Sequence, residues 1–65
     1  MKILLNGEAL ATDAKTLDEL CARLGFADAK TATAVNGNVV AAVARSATQL
    51  APADEVEIVA PRQGG

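Results

Sequence analysis

The clearest pattern of apolar positions in the chain is helical. Leu17, Leu20, Cys21 and Leu24 fall at i, i+3, i+4 and i+7, one stripe of an α-helix. Thr16 precedes the stripe and Glu19 follows three residues later. This spacing predicts a capping box, in which Thr16 accepts from the N–H of Glu19 and Glu19 reaches back to the N–H of Thr16. Arg23 lies in the last turn, where a cation suits the helix dipole, and Gly25 stops the helix. The predicted helix covers residues 16–24.

Elsewhere the period shortens to two. Glu55 to Ala60 is the clearest strand, with Val56, Ile58 and Ala60 on the face turned to the helix and Glu55, Glu57 and Val59 on the other. Pro61 ends it. Residues 2–6 predict a first strand, and Asn6-Gly7 a two-residue hairpin, because both residues tolerate positive φ. Residues 8–13 return as a short edge strand of poor β propensity. Residues 26–31 read as loop, and Ala32 to Asn36 as a third strand followed by a second turn at Asn36-Gly37. Val39-Val40 starts a further extended piece, prolonged through 41–45, and Ser46 to Leu50 predicts one short helical turn. Pro52 and Ala53-Asp54 turn the chain into the last strand.

One helix cannot cover both faces of such a sheet, so the second face is left open to solvent or to a partner. Hairpin, crossover helix and returning strands predict an α+β fold of the β-grasp, ubiquitin-like kind. Its sheet is mixed, with four to five strands, and the main helix packs on one face. Residues 1–60 form the domain and 61–65 a flexible C-terminal tail.

Composition then removes function classes. A chain of 65 residues is one domain, and a domain of that size buries only about 60% of its unfolded surface, too little for a deep enclosed site. It has no histidine and a single cysteine, so an internal disulfide, a structural zinc site and a His-activated nucleophile are all excluded. No metal or cofactor is expected to be bound. Phe26 is the only aromatic, so there is no stacking platform for single-stranded nucleic acid. Lys2, Lys15, Arg23, Lys30, Arg45 and Arg62 are dispersed and the net charge is -2, which argues against nucleic-acid and anionic-membrane partners. No run approaches a membrane span of roughly 20 residues, and Ile3-Leu4-Leu5 is too short for a secretory core. With one unpaired cysteine, the expected compartment is the cytoplasm.

The residues capable of chemistry reduce to the end of the chain. Asp54, Glu55 and Glu57 read as a turn and a solvated strand face. Cys21 lies on the apolar stripe and reads as core, where burial quiets a thiol. Gly64-Gly65 remains. Two residues without Cβ can thread a narrow channel. Extended, residues 61–65 reach about 17 Å. The terminal carboxylate, with a pKa near ~3.5, is anionic and a poor electrophile at neutral pH. It reacts only when another enzyme activates it, for example as an acyl-adenylate. The chain is therefore expected to be no enzyme but a substrate and carrier.

Four stretches resemble one known family across nearly the whole chain. They are Met1 to Gly7, Ala34-Val35-Asn36-Gly37-Asn38-Val39-Val40, Asp54-Glu55-Val56-Glu57-Ile58-Val59 and Gln63-Gly64-Gly65. The chain resembles the ThiS family, the small sulfur-carrier proteins of thiamine biosynthesis and β-grasp relatives of ubiquitin. Arg45 stands where that family often has a basic residue. The resemblance implies that a ThiF/E1-like adenylyltransferase, using ATP with a divalent metal, adenylates Gly65. Sulfur relayed by a desulfurase then replaces AMP and leaves a thiocarboxylate for a ThiG-like thiazole synthase. It implies that Arg62, Gln63 and Gly64 enter the partner's active site, and that part of the open sheet face contacts both partners. Strand alternation nominates Leu4 and Val59 for that face, and Arg62 is either a contact to an acidic partner surface or a solvated tail charge. Two features depart from the family. Ala53 replaces a common Gly before Asp54, and residues 26–33 are Ala- and Thr-rich. The small subunit of molybdopterin synthase shares the fold and the Gly-Gly end, but those chains tend to be longer and more apolar before the glycines. A ubiquitin-like modifier would use the same terminus on target lysines.

Overall fold

The computed structural model describes residues 1–60; the expected tail, 61–65, lies outside the described residues. The chain opens with β1 (Lys2–Leu5), turns at Asn6-Gly7 and returns as β2 (Glu8–Ala11). Both turn residues have positive φ, 50° and 85°, as a two-residue hairpin requires. Helix α1 (Leu17–Leu24) follows, then β3 (Ala32–Val35), a second Asn-Gly turn, β4 (Asn38–Val40), a 3₁₀ helix (Ala42–Ala47) and β5 (Glu55–Val59).

The five strands form one mixed sheet in the order β2-β1-β5-β3-β4. The first and last strands lie parallel at its centre, with Leu4 beside Glu55 and Leu5 beside Val56. β3 runs antiparallel to β5, from Ala32 opposite Val59 to Val35 opposite Val56. Helix α1 covers one face. Its Leu17, Leu20 and Cys21 are buried with Ile3, Ala14, Val56 and Ile58, and Leu5, Leu10, Leu24, Phe26, Val35, Val40 and Leu50 pack around this centre.

The caps of α1 follow the local sequence closely. Thr16 Oγ1 accepts from the Glu19 N–H at 3.1 Å, and Gly25 adopts the left-handed conformation at φ 83°. The return half of the capping box differs. With Thr16 extended, the Glu19 carboxylate takes the N–H of Lys15 at 2.8 Å, one residue earlier than expected. The segment ahead of α1 is also tied to the strand-like stretch after the 3₁₀ helix, through Leu17 N–H to Thr48 O and Leu50 N–H to Lys15 O, both at 2.9 Å.

Residues 41–45 depart from expectation. They do not prolong β4; Ala42–Ala47 is the 3₁₀ helix, and the helical turn predicted at Ser46 to Leu50 lies earlier in the chain. The cause is Arg45. It is only 2% exposed, while Val43, two residues before it, is 91% exposed. The guanidinium donates to three neutral acceptors. Nε reaches Thr33 Oγ1 at 3.2 Å, one terminal nitrogen reaches Asp28 O at 3.2 Å, and the other reaches Thr31 O. A buried cation is tolerated only when its donors are met, and here the 3₁₀ helix delivers it to the loop before β3.

Candidate functional site

Strand alternation sorts the open face. Lys2 and Leu4 of β1, Ala9 and Ala11 of β2, Glu55, Glu57 and Val59 of β5, Ala32 and Ala34 of β3 and Val39 of β4 occupy paired positions on the side away from α1. Leu4 and Val59 share that face, as strand alternation predicts, and are 37% and 63% exposed. They are not neighbours. Leu4 is level with Glu55, so Val59 lies four residues further along β5, about 13 Å at the rise of a strand.

Two apolar patches result. Leu4 borders a shallow depression with Lys2, Pro52 and Ala53. Val59 borders another with Val39, floored by Ala32 and Ala34 and edged by Glu57. Val39 is 86% exposed. Sequence reasoning passed over it, although its alternation with Val40, which packs on the core, carried the signal. The Ala- and Thr-rich composition of β3 now has a reason. Ala32 and Ala34 keep the floor of the groove low on the open side, while Thr33 and Val35 face the covered side.

Glu55 and Glu57 lie between the two patches and are exposed. Among the described residues, the ion pairs join Arg23 to Asp13 and to Glu19 and leave both glutamates free. The open face is thus apolar with an acidic centre. Asp54 does not belong to it. One of its oxygens accepts from Asn36 Nδ2 at 3.0 Å and the other from Ala51 N–H at 2.8 Å, a structural role at the turn.

Cys21 sits in the core beneath α1, on the other side of the sheet, fully buried. Burial pushes its thiol up from the ordinary value, against a smaller opposing pull from Arg45. A protonated, enclosed sulfur is a packing group. No cluster of His, Cys, Asp or Glu among the described residues could hold a metal ion, and none of their helices is long and apolar enough to cross a membrane. Gly65, Gly64, Gln63 and Arg62 lie outside the described residues. What the structure shows is the strand that leads to them.

A mixed sheet with its first and last strands parallel at the centre and one helix across a single face defines a β-grasp fold of the ubiquitin-like kind. The model of the ThiS family matches residues 3–65, and the chain belongs to that family. It is similar to the crystal structure of a thiamine biosynthesis protein (ThiS) from Geobacter metallireducens, with 30% identity, a TM-score of 0.80 and both chains covered completely. The NMR solution structure of a thiamine biosynthesis protein from the same organism gives 29% identity and a TM-score of 0.82 over 100% of this chain and 88% of the other. No curated protein matches the chain significantly.

Proposed function

We propose that this chain is a sulfur carrier of thiamine biosynthesis and that the carboxylate of Gly65 is the carrier group. The observation that carries this reading is the ThiS family match, which runs through the closing Gln63-Gly64-Gly65. Likeness to solved thiamine biosynthesis proteins over the full chain supports it.

The chemistry asks little of the carrier itself. A ThiF/E1-like adenylyltransferase joins the Gly65 carboxylate to AMP from ATP, with its divalent metal, and releases pyrophosphate. The carboxyl carbon is then an electrophile. A sulfur nucleophile derived from a desulfurase displaces AMP, and the terminus is left as a thiocarboxylate. A ThiG-like thiazole synthase receives that sulfur. Arg62, Gln63 and Gly64 thread the partner's channel, since glycine at 64 passes a constriction that a Cβ would block. The two apolar patches around Leu4 and Val59 dock the domain. Their separation gives a partner two points of purchase and fixes the orientation of the sheet.

Intact mass after incubation with the cognate adenylating enzyme, ATP and a sulfur source tests the reading. One sulfur should replace one oxygen at the terminus, and deletion of Gly64-Gly65 should abolish the gain. An unchanged mass, or sulfur mapped to Cys21, rules the proposal out.

A further inference from the structure

The outgoing end of β5 is held by a side chain where a strand would be expected. Along β5 the main-chain groups of Asp54, Val56 and Ile58 point to β1, and those of Glu55, Glu57 and Val59 to β3. Leu4 N–H donates to Asp54 O and Asn6 N–H to Val56 O, each at 2.9 Å. There β1 ends, because Asn6-Gly7 turns the backbone away into β2. Ile58 would then lack a partner on that edge. The carboxamide of Asn6 replaces it. Asn6 Nδ2 donates to Ile58 O at 3.1 Å, and Ile58 N–H donates to Asn6 Oδ1 at 3.0 Å. Both main-chain groups of Ile58 are satisfied as a further rung of the ladder would satisfy them.

Its counterpart is Asn36, in the other Asn-Gly turn. There the carboxamide holds the beginning of β5, accepting from Glu55 N–H at 2.9 Å and donating to Asp54 Oδ1. Two asparagines of equal conformation, φ 50° and 51°, thus fasten the two ends of one strand. Only the Asn6 end leads to the terminus.

We propose that Asn6 is a positioning residue for the carrier reaction. On the β1 edge it extends the hold on β5 to Ile58, next to Val59, which β3 holds on the other edge opposite Ala32, so the outgoing end of the strand is fixed from both sides. The inference rests on the reading of Gly65 as the carrier group. From Ile58 to Gly65 is seven residues, at most about 25 Å of extended chain. Release of this edge lets the end of β5 fray, which lengthens the tether that carries the carboxylate, and the effective concentration of the carboxylate in a docked partner's channel falls accordingly. Asn6 borders the open face beside Leu4, Glu55 and Glu57, but the proposed docking patches at Leu4 and Val59 keep their side chains when Asn6 is replaced, so the loss belongs in kcat and not in KM.

The test compares the full-length chain with Asn6→Gly and Asn36→Gly. Glycine keeps the positive φ of each turn and removes only the carboxamide. Amide exchange by NMR and ATP-dependent pyrophosphate release with the cognate adenylating enzyme are the two readouts. Asn6→Gly should speed exchange of the Ile58 N–H and lower kcat about tenfold with KM within about twofold. Asn36→Gly, which loses the same number of side-chain bonds, should retain kcat. Equal losses in both variants, a change confined to KM, or an unaltered kcat in Asn6→Gly would each overturn the inference while leaving the carrier reading intact. A wild-type chain that is not adenylated overturns that reading and the inference together. Should Asn6→Gly fail to fold, Asn6→Asp keeps the acceptor for Ile58 N–H but sets a carboxylate oxygen against Ile58 O, so kcat should fall there as well, and an unchanged kcat counts against the proposal.

Discussion

Ile3 and Leu4 are adjacent in β1, and both are branched aliphatic residues of the same volume, yet one is 1% exposed and the other 37%. Ile58 and Val59 repeat the contrast at the far end of β5, at 5% and 63%. The same sheet supplies both faces. On the covered face the apolar groups are enclosed by α1 and removed from water. On the open face similar groups remain in water beside Glu55 and Glu57, which make no ion pair among the described residues. Burial explains the first set through stability. The second set contributes little to folding, and docking is the role proposed for it.

The largest test of this contrast truncates an aliphatic side chain of the same volume on either side of the sheet. Ile3→Ala should destabilise the domain by about 3–4 kcal/mol, the transfer and cavity cost of a buried aliphatic. For a domain of this size that is a large fraction of roughly 3–10 kcal/mol in total. Leu4→Ala should change urea-unfolding stability by less than about 0.5 kcal/mol and raise the KM for the adenylating partner instead. If Leu4→Ala cost as much stability as Ile3→Ala, the two faces would not differ in the way argued.

Arg45 qualifies the covered side, which is not wholly apolar. Replacement by Ala leaves the carbonyls of Asp28 and Thr31 and the hydroxyl of Thr33 without their charged donor. A loss of about 2–3 kcal/mol is expected in urea unfolding. Arg45→Lys should recover less than half of it, since one ammonium cannot span three acceptors set for a planar fork. Full recovery by lysine would mean that charge alone, and not the fork, holds the loop.

These residues also mark the limit of what could be read from the chain. The helix and both hairpins were legible because their signals are local: a cap at Thr16, a stop at Gly25, and Asn-Gly pairs that accept positive φ. Leu4 and Val59 were assigned to the open face by alternation alone, and the structure places both there. The 3₁₀ helix was not legible, because its pattern is inverted, with Val43 outward and Arg45 inward. Only tertiary hydrogen bonds explain that choice, and no periodicity encodes them. The side-chain rung at Asn6 was hidden for a related reason. Asn6-Gly7 accounts for itself as a turn, so nothing nearby points to Ile58, fifty-two residues away. Residues 61–65 lie outside the described residues, and their role is read from the sequence and the family.

The turn that feeds β5 lies at the border of the open face, beside Leu4, and yields a smaller effect of opposite sign. Asp54 N–H donates to Ala51 O at 3.1 Å, closing a turn with Pro52 second and Ala53 third. Ala53 has φ 72°, the position of such a turn that favours glycine. The departure from the family noted at this site is therefore an alanine held in a left-handed backbone, at a cost of about 1–2 kcal/mol. Ala53→Gly removes that cost and loses about 0.4–1 kcal/mol to the freer unfolded chain. A net gain of about 0.5–1 kcal/mol should appear as a higher melting temperature. Any loss of stability would mean that the alanine methyl makes a contact worth more than the strain.

The smallest effect separates charge from packing on the exposed surface of the covered side. Arg23 bridges Asp13, ahead of α1, and Glu19 one turn earlier in the helix, the latter at 3.4 Å. Its hydrogen bond to Asp13, and then its charge, hold the Asp13 carboxyl below the ordinary value and raise the guanidinium further. A carboxyl with a lower pKa in the folded state binds fewer protons there than when unfolded. Its contribution to stability is therefore present above the unfolded value of about 3.9 and is lost as pH falls through the folded one. Both groups are exposed, so the effect is small and is screened by salt. Asp13→Asn should flatten the acid limb of the stability profile slightly below about pH 4 in low salt, with no change at pH 7 in high salt. An equal loss at every pH and salt concentration would show that Asp13 acts by shape, and that this surface belongs with the packed face it borders.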